Sequence, residues 1–484
     1  MNLTIALIWI GYVALLIFLT YNARSKNVLL PGRVGAVVQA FAYVSTYISA
    51  VALVGFAGLG HSMGMQIQLL TLGNVWLGCW LVYKYIAWPT RLVQKRLGAK
   101  TPAEMIARGY GSSGLARFQG GFSGILLIIY CSAVFKGGAL MLTSAVPLSE
   151  NQALVLLVSI VAISVLWGGL RAVLFTEAMQ GLIMTIGVLT LLIGALRHVG
   201  GLGAVFDGLA ALPPTPQANN GFLAVSSGAE GMNLFFVMLV LSVGMWSQPQ
   251  IMQRHFALKS KEEARRIIPI VMLVLTLLLG SAYFVGGMSR LILGSEVASP
   301  DVVIPTIVRM VLPEIGLQLF TLAVVSAALS TASAILHVAC ASLGQDLLGR
   351  RLTGWSWRAV VVAGALASGF FAVYSSSIIA LICSTSWTLI AASTWLPYIA
   401  LLVNGVGIDP KSGWLSTLMG TFGALCWYFL GYAPTALKFS GLAAPGFLGQ
   451  LHPMIMGISA SALGLAIGLC ARKVCSPAKL KVEQ

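Results

Sequence analysis

Residues 315–345, IGLQLFTLAVVSAALSTASAILHVACASLGQ, run for 31 positions without an Asp, Glu, Lys or Arg. A helix needs roughly 17 to 25 mostly apolar residues to cross the hydrocarbon core of a bilayer, and this run exceeds that length. The same ruler, moved towards the N-terminus, finds spans near residues 3–22, 35–60, 66–83, 119–144, 152–168, 178–196, 232–249 and 267–289. Moved the other way, it finds 359–376, 378–403, 414–433 and 449–471. With the starting run that makes thirteen, and the prediction is an all-α membrane protein of about 13 transmembrane helices. The largest connection, about 198–231, is rich in Gly, Ala and Pro and holds no catalytic cluster. The chain therefore reads as one membrane domain.

Composition agrees. Of 484 residues, 58% are hydrophobic and only 9% charged, where a soluble protein carries about a quarter charged residues. A soluble globular enzyme is excluded, and no nucleophile, metal cluster or carboxylate pair converges in a span, so no catalytic residues are expected. The net charge of +16 does not indicate nucleic acid, because the basic residues are scattered between apolar runs and form no patch. Cys79, Cys131, Cys340, Cys383, Cys426, Cys470 and Cys475 show neither zinc nor disulfide spacing. They read as small packing residues.

The scatter of charge gives a topology. The first span has no basic residue before it, whereas Arg24, Lys26 and Arg33 follow it. It reads as a retained helix with the N-terminus outside. Alternating from there, the loops on the inner side hold 24 of the 29 Lys and Arg residues, as the positive-inside rule requires. An odd number of spans puts the C-terminus in the cytoplasm. The expected location is the inner (plasma) membrane, and the lipid bilayer is the first partner.

Inside the spans a few polar groups stand out. Span 35–60 carries Ser45, Thr46, Tyr47 and Ser49, then Gly55, Gly58 and Gly60. An interruption by glycine frees backbone carbonyls, which are tolerated at membrane depth only beside protein or a cavity and can hold a cation. Small residues also let helices approach closely, so both readings stay open. Ala327, Ser330 and Thr331 share one helix face. Their hydroxyls can complete an all-oxygen cation site or bond back to the preceding turn. Lys136 is the one basic residue placed deep in a span, with no acidic residue assigned to a span to pair with it. It either meets an incoming anion or snorkels to the headgroups. Asn74, Trp246 and Gln248 are further lining candidates, and Pro249 would break its helix. His337 lies on the Ser330 face and reads as either a titrating or a packing histidine. No phosphate-binding loop is present, so ATP does not drive this chain.

WGGLRA at 167–172 followed by FTEAMQG at 175–181 resembles the signature of the solute:sodium symporter family. Further segments match in order: STYISAVALVGFAGLGHSMG at 45–64, TPAEMIARGYG at 101–111, SQPQIMQR at 247–254, and AALSTAS at 327–333 with QDLL at 345–348. Within that family, TYISA at 46–50, the 168–184 run and DVVIPT at 301–306 are most similar to pantothenate/sodium symporters. The resemblance implies a LeuT-like core of two inverted five-helix repeats, here 35–197 and 232–403, with 3–22 and the two helices of 414–471 peripheral. It implies a sodium site made by the carbonyls of Ser45, Ile48 and Ala327 and the hydroxyls of Ser330 and Thr331. Proline symporters carry Asp where this chain has Tyr47, so one sodium is expected rather than two. Thr46, Tyr47, Ser49, Asn74, Lys136, Trp246 and Gln248 are the expected substrate contacts.

The resulting expectation is a sodium-coupled symporter for a small, anionic organic solute, a monocarboxylate such as pantothenate, working by alternating access. The alternatives are the same fold acting on proline, another amino acid or a sugar, or coupled to protons. From another class, a solute sensor that moves nothing remains open.

Overall fold

The computed structural model describes residues 3–23, 34–349, 352, 354–374 and 379–475. Arg24, Lys26, Arg33, Arg350, Arg351, Lys479 and Lys481, and the side chains at 167–169, 472 and 473, lie outside the described residues. The chain folds as α1 (Leu3–Asn22), α2 (Ala36–Tyr47), α3 (51–63), α4 (68–97), α5 (Pro102–Gly109), α6 (Ser113–Ala145), α7 (Glu150–Val199), α8 (Leu202–Ala211), α9 (Gly228–Ser242) and α10 (Pro249–His255). There follow α11 (261–287), α12 (Arg290–Leu293), α13 (Pro300–Val311), α14 (Glu314–Ala341), α15 (Gly354–Tyr374), α16 (Ile379–Asn404), α17 (Pro410–Leu430), α18 (Ala433–Phe439) and α19 (Pro453–Cys475). Among the described residues there is no strand. Nine helical stretches there are long and apolar enough to cross a membrane. Each of the thirteen expected spans is mainly helical over its described residues. The smaller number arises because 51–97 runs two of them together, α1 and 150–166 count as shorter apolar helices, and α17 is less apolar.

Local chemistry fixes several helix starts. Thr101, ahead of Pro102 at the first helical position, accepts a bond from the Glu104 amide. Ser149 and Gln152 cap each other's backbone N–H. Both satisfy donors that a helix start leaves orphaned.

Helix α14 is the hub, buried at nearly every position from Gly316 to Ala341. It can be central because its neighbours meet it through small residues. A Cβ on Gly187 of α7 would fall 2.4 Å from the Ala323 Cβ, and one on Gly138 of α6 would fall 2.6 Å from the Ala328 Cβ. The glycines of the first core helix do the same work and do not interrupt it. A Cβ on Gly58 would lie 1.9 Å from the Pro300 carbonyl oxygen, and one on Gly60 would lie 2.6 Å from the Gly286 carbonyl carbon. The interruption falls earlier, at Ile48 and Ser49. At Gly64 the φ of +72° turns α3 into α4, with a Cβ there 2.4 Å from the Phe222 oxygen.

Three boundaries differ from the sequence expectation. The spans expected at 152–168 and 178–196, with a loop at Arg171 between them, lie in the single helical stretch α7. A straight rod of that length would measure about 75 Å. Yet Leu157 packs at Gly138 and Ala328, while Gly187 packs at Ala323, only five residues along α14; the stretch is therefore bent between Leu157 and Gly187. Second, α4 continues to Leu97, so Lys84, Arg91, Lys95 and Arg96 are helical and not in a loop. Third, α11 starts at Lys261 and carries Arg265 and Arg266. In each case charges were read as loop because apolarity defined the spans, whereas a helix extends as far as its backbone bonds and caps allow.

Candidate functional site

Helix α2 ends at Tyr47, because Ile48 takes an extended conformation (φ −96°, ψ 114°) before Ala50 returns to helical angles. After the break the Ala52 amide donates to Ser49, at 3.0 Å, and not to Ile48 four residues back. The freed oxygens face α14. The Ser330 hydroxyl donates to the Ser45 oxygen at 2.9 Å and lies 3.1 Å from the Ala327 oxygen. The Thr331 hydroxyl lies 3.3 Å from the oxygens of Ser45 and Ile48 and 3.5 Å from that of Thr46. Thus the structure brings together Ser45, Ile48, Ala327, Ser330 and Thr331, and adds the Thr46 carbonyl. All six are buried. Two hydroxyl hydrogens face four carbonyl oxygens, so lone pairs exceed donors. Such an acceptor-rich, all-oxygen cluster suits a hard cation. No group of three or more His, Cys, Asp or Glu side chains able to hold a metal occurs among the described residues.

Beside the cluster lies a small cavity lined by Tyr47, Ser49, Ala52, Phe56, Asn74, Leu241, Leu279, Tyr283, Cys383 and Trp387. It measures about 20 Å³, room for about one water molecule. The Tyr47 hydroxyl donates to Asn74 Oδ1 at 2.6 Å, and Asn74 donates to the Leu70 oxygen at 2.6 Å. Tyr130 meets Trp387 edge-on, with ring centroids 5.6 Å apart. The wall is therefore aromatic, with a few directed polar atoms, as small-molecule sites commonly are.

Of the seven expected substrate contacts, Tyr47, Ser49 and Asn74 line this cavity and four do not. The Thr46 hydroxyl turns away, donating to the Ala42 oxygen and accepting from Arg254 Nε. Trp246 stacks on Trp395 and donates to the Leu77 oxygen. Gln248 touches the wall from behind, 3.3 Å from the Trp387 oxygen. Lys136 is half-buried and lies within electrostatic reach of Asp301 on α13. Burial raises the Asp301 carboxyl, while the Ile379 N–H and the Lys136 ammonium oppose that rise. The expectation that no acid is placed to pair with Lys136 is thereby corrected, because α13 folds back against α6. Pro249 does sit at a break: α9 gives way to one tight turn, Gln248 is extended, and α10 begins at Pro249. His337 is buried edge-on to Trp357, at 5.2 Å.

Phe56, Tyr283, Cys383 and Trp387 are functional candidates that sequence reasoning missed. For Trp387 a signal existed, since Ser384, Thr385, Ser386 and Thr388 interrupt an otherwise apolar span around it. A second omission is charged. Glu177 and Arg254, both assigned to connections, form a buried ion pair at 2.6 Å. Asp346 is also buried, with both carboxylate oxygens 2.8 Å from the Thr101 hydroxyl.

A bundle of apolar helices around a helix broken within its length, with an oxygen cluster at the break, has the features of secondary-transporter folds. The pattern that defines the Sodium:solute symporter family matches residues 29–401. The chain belongs to that family. It is 29% identical to a sodium/pantothenate symporter of Haemophilus influenzae over 64% of this chain and 63% of that one. It is 28% identical to the sodium/pantothenate symporter of Escherichia coli, over 65% and 64%. The chain thus spans under two thirds of the length of these two relatives. The high-affinity proline transporter PutP of Bacillus subtilis is 26% identical over 94% of both chains. Among solved structures, a Na+-coupled sialic acid symporter in a substrate-bound outward-open state superposes with a TM-score of 0.77 at 15% identity, covering 99% of this chain and 100% of that one. MhsT in complex with L-phenylalanine follows at 0.55 and 13% identity, covering 91% of this chain and 99% of that one. The fold is LeuT-like, as expected.

Proposed function

We propose that this chain is a sodium-coupled secondary symporter that imports a small organic solute by alternating access. The observation that carries the reading is the oxygen cluster where the broken end of α2 meets Ser330 and Thr331. Sodium bound there would tie α2 to α14, and the solute would sit next to it against Tyr47, Ser49, Asn74 and Trp387. Each ligand then raises the affinity for the other by linkage. The two halves 35–197 and 232–403 each open with a helix broken within its length, α2 to α3 and α9 to α10, which supports the inverted-repeat reading. The basic-residue bias puts the N-terminus outside and the C-terminus in the cytoplasm.

For the solute, a monocarboxylate such as pantothenate is supported by the two pantothenate relatives. Proline is the second reading, favoured by the match to PutP along 94% of both chains and by Lys136 standing outside the cavity wall. Uptake of labelled pantothenate and proline into proteoliposomes tests both. Accumulation of one of them under an inward sodium gradient, lost when choline or K+ replaces Na+, is the expected result. Undiminished uptake without sodium rejects the coupling, and accumulation of neither solute rejects both assignments.

A further inference from the structure

Helix α10 is buried at all seven positions, and its Arg254 bears a charge that no protein environment removes. Arg254 Nη2 lies 2.6 Å from Glu177 Oε1 on α7, with side chains 3% and 0% exposed. Arg254 Nε donates to the Thr46 hydroxyl at 3.2 Å. Glu177 Oε2 and Arg254 Nη1 have no hydrogen-bond partner, so the pair is single-pronged and lacks the two-pronged fork that makes an Arg–carboxylate contact rigid. Thr46 follows Ser45 in the chain, and its own carbonyl is one of the four that face the α14 hydroxyls. A fixed positive charge therefore stands one residue from the proposed cation site, with Glu177 as its counter-charge.

We infer that the Glu177–Arg254 pair is the charge control of the cation site. Arg254 sets a fixed positive charge beside Thr46, and Glu177 cancels that charge so that a monovalent cation can settle nearby. Neither residue ligates the ion; both act on it through the field. The inference rests on the sodium reading above. Its signature is a rescue. Neutralising Glu177 leaves Arg254 to repel the ion, and neutralising Arg254 as well removes that repulsion. A merely structural ion pair shows a rescue in the melting temperature alone, because removing one partner strands a buried charge, and it leaves the sodium midpoint unmoved.

The test is a sodium titration of the thermal stability of the purified full chain, with K+ as control. Glu177→Gln should raise the sodium midpoint on the order of tenfold, and adding Arg254→Gln should return it to within about threefold of the native value. Arg254→Lys keeps the charge balance and should stay within about threefold of native, which supplies a readout if Glu177→Gln does not fold. A double variant as weak as Glu177→Gln, or a tenfold loss in Arg254→Lys, overturns the inference. If the native chain itself shows no sodium-specific stabilisation, the sodium reading fails first, and that outcome is distinct from the variant pattern.

Discussion

Thr331 makes the most demanding residue-level contact, one hydroxyl within reach of three carbonyl oxygens. Thr331→Val keeps the shape and removes the oxygen. It should raise the sodium concentration for half-maximal uptake roughly tenfold, the loss of one bond to a charged group, as read from uptake against sodium at fixed solute. An unchanged sodium dependence would remove Thr331 from the site. Trp387→Ala should act on the other axis, raising the solute KM while sodium dependence changes little. At this scale the two hydroxyls of the proposed sodium site, Ser330 and Thr331, were legible, because AALSTAS places them on one helix face. Trp387 was signalled only by the hydroxyl-rich run around it, and the Glu177–Arg254 pairing was not legible, since its two partners lie 77 residues apart in the chain.

Among the elements, the break in α2 matters most. Its existence was expected, but its place was assigned to Gly55–Gly60. The structure uses those glycines for contact: Gly58 lets α3 approach the backbone of α13. Gly58→Ala should therefore lower the melting temperature substantially, costing about 2 kcal/mol or more, because the clash is with a carbonyl that cannot move aside as a side chain can. Gly11→Ala, with nothing within 4 Å, is the matched control and should melt like the native chain. Equal melting of the two variants would contradict the packing. Helix α7 teaches a related lesson. Its two apolar halves were visible as spans, but whether the chain between them is loop or bent helix depends on backbone bonds that side-chain hydropathy does not report.

For the whole molecule, coupling to a sodium ion moves net charge unless the solute carries a compensating negative one. A potential of 100 mV is worth about 2.3 kcal/mol per elementary charge moved. Uptake of a neutral or zwitterionic solute with one sodium should rise when the vesicle interior is made negative. Uptake of a monoanion with one sodium should not respond. The voltage response thus separates the proline and pantothenate readings at one sodium per cycle. The amino-acid sequence by itself determined that the chain is an all-helical membrane protein, roughly where each helix lies, and which helix face carries the Ser330 and Thr331 hydroxyls. These follow from local apolarity and helical spacing, which any stretch expresses without its neighbours. Only the tertiary structure decided that four carbonyls meet those hydroxyls, that Lys136 has Asp301 within reach, and that Arg254 is buried against Glu177. Those are juxtapositions between segments distant in the chain, and their energies exist only when packing excludes water from between them.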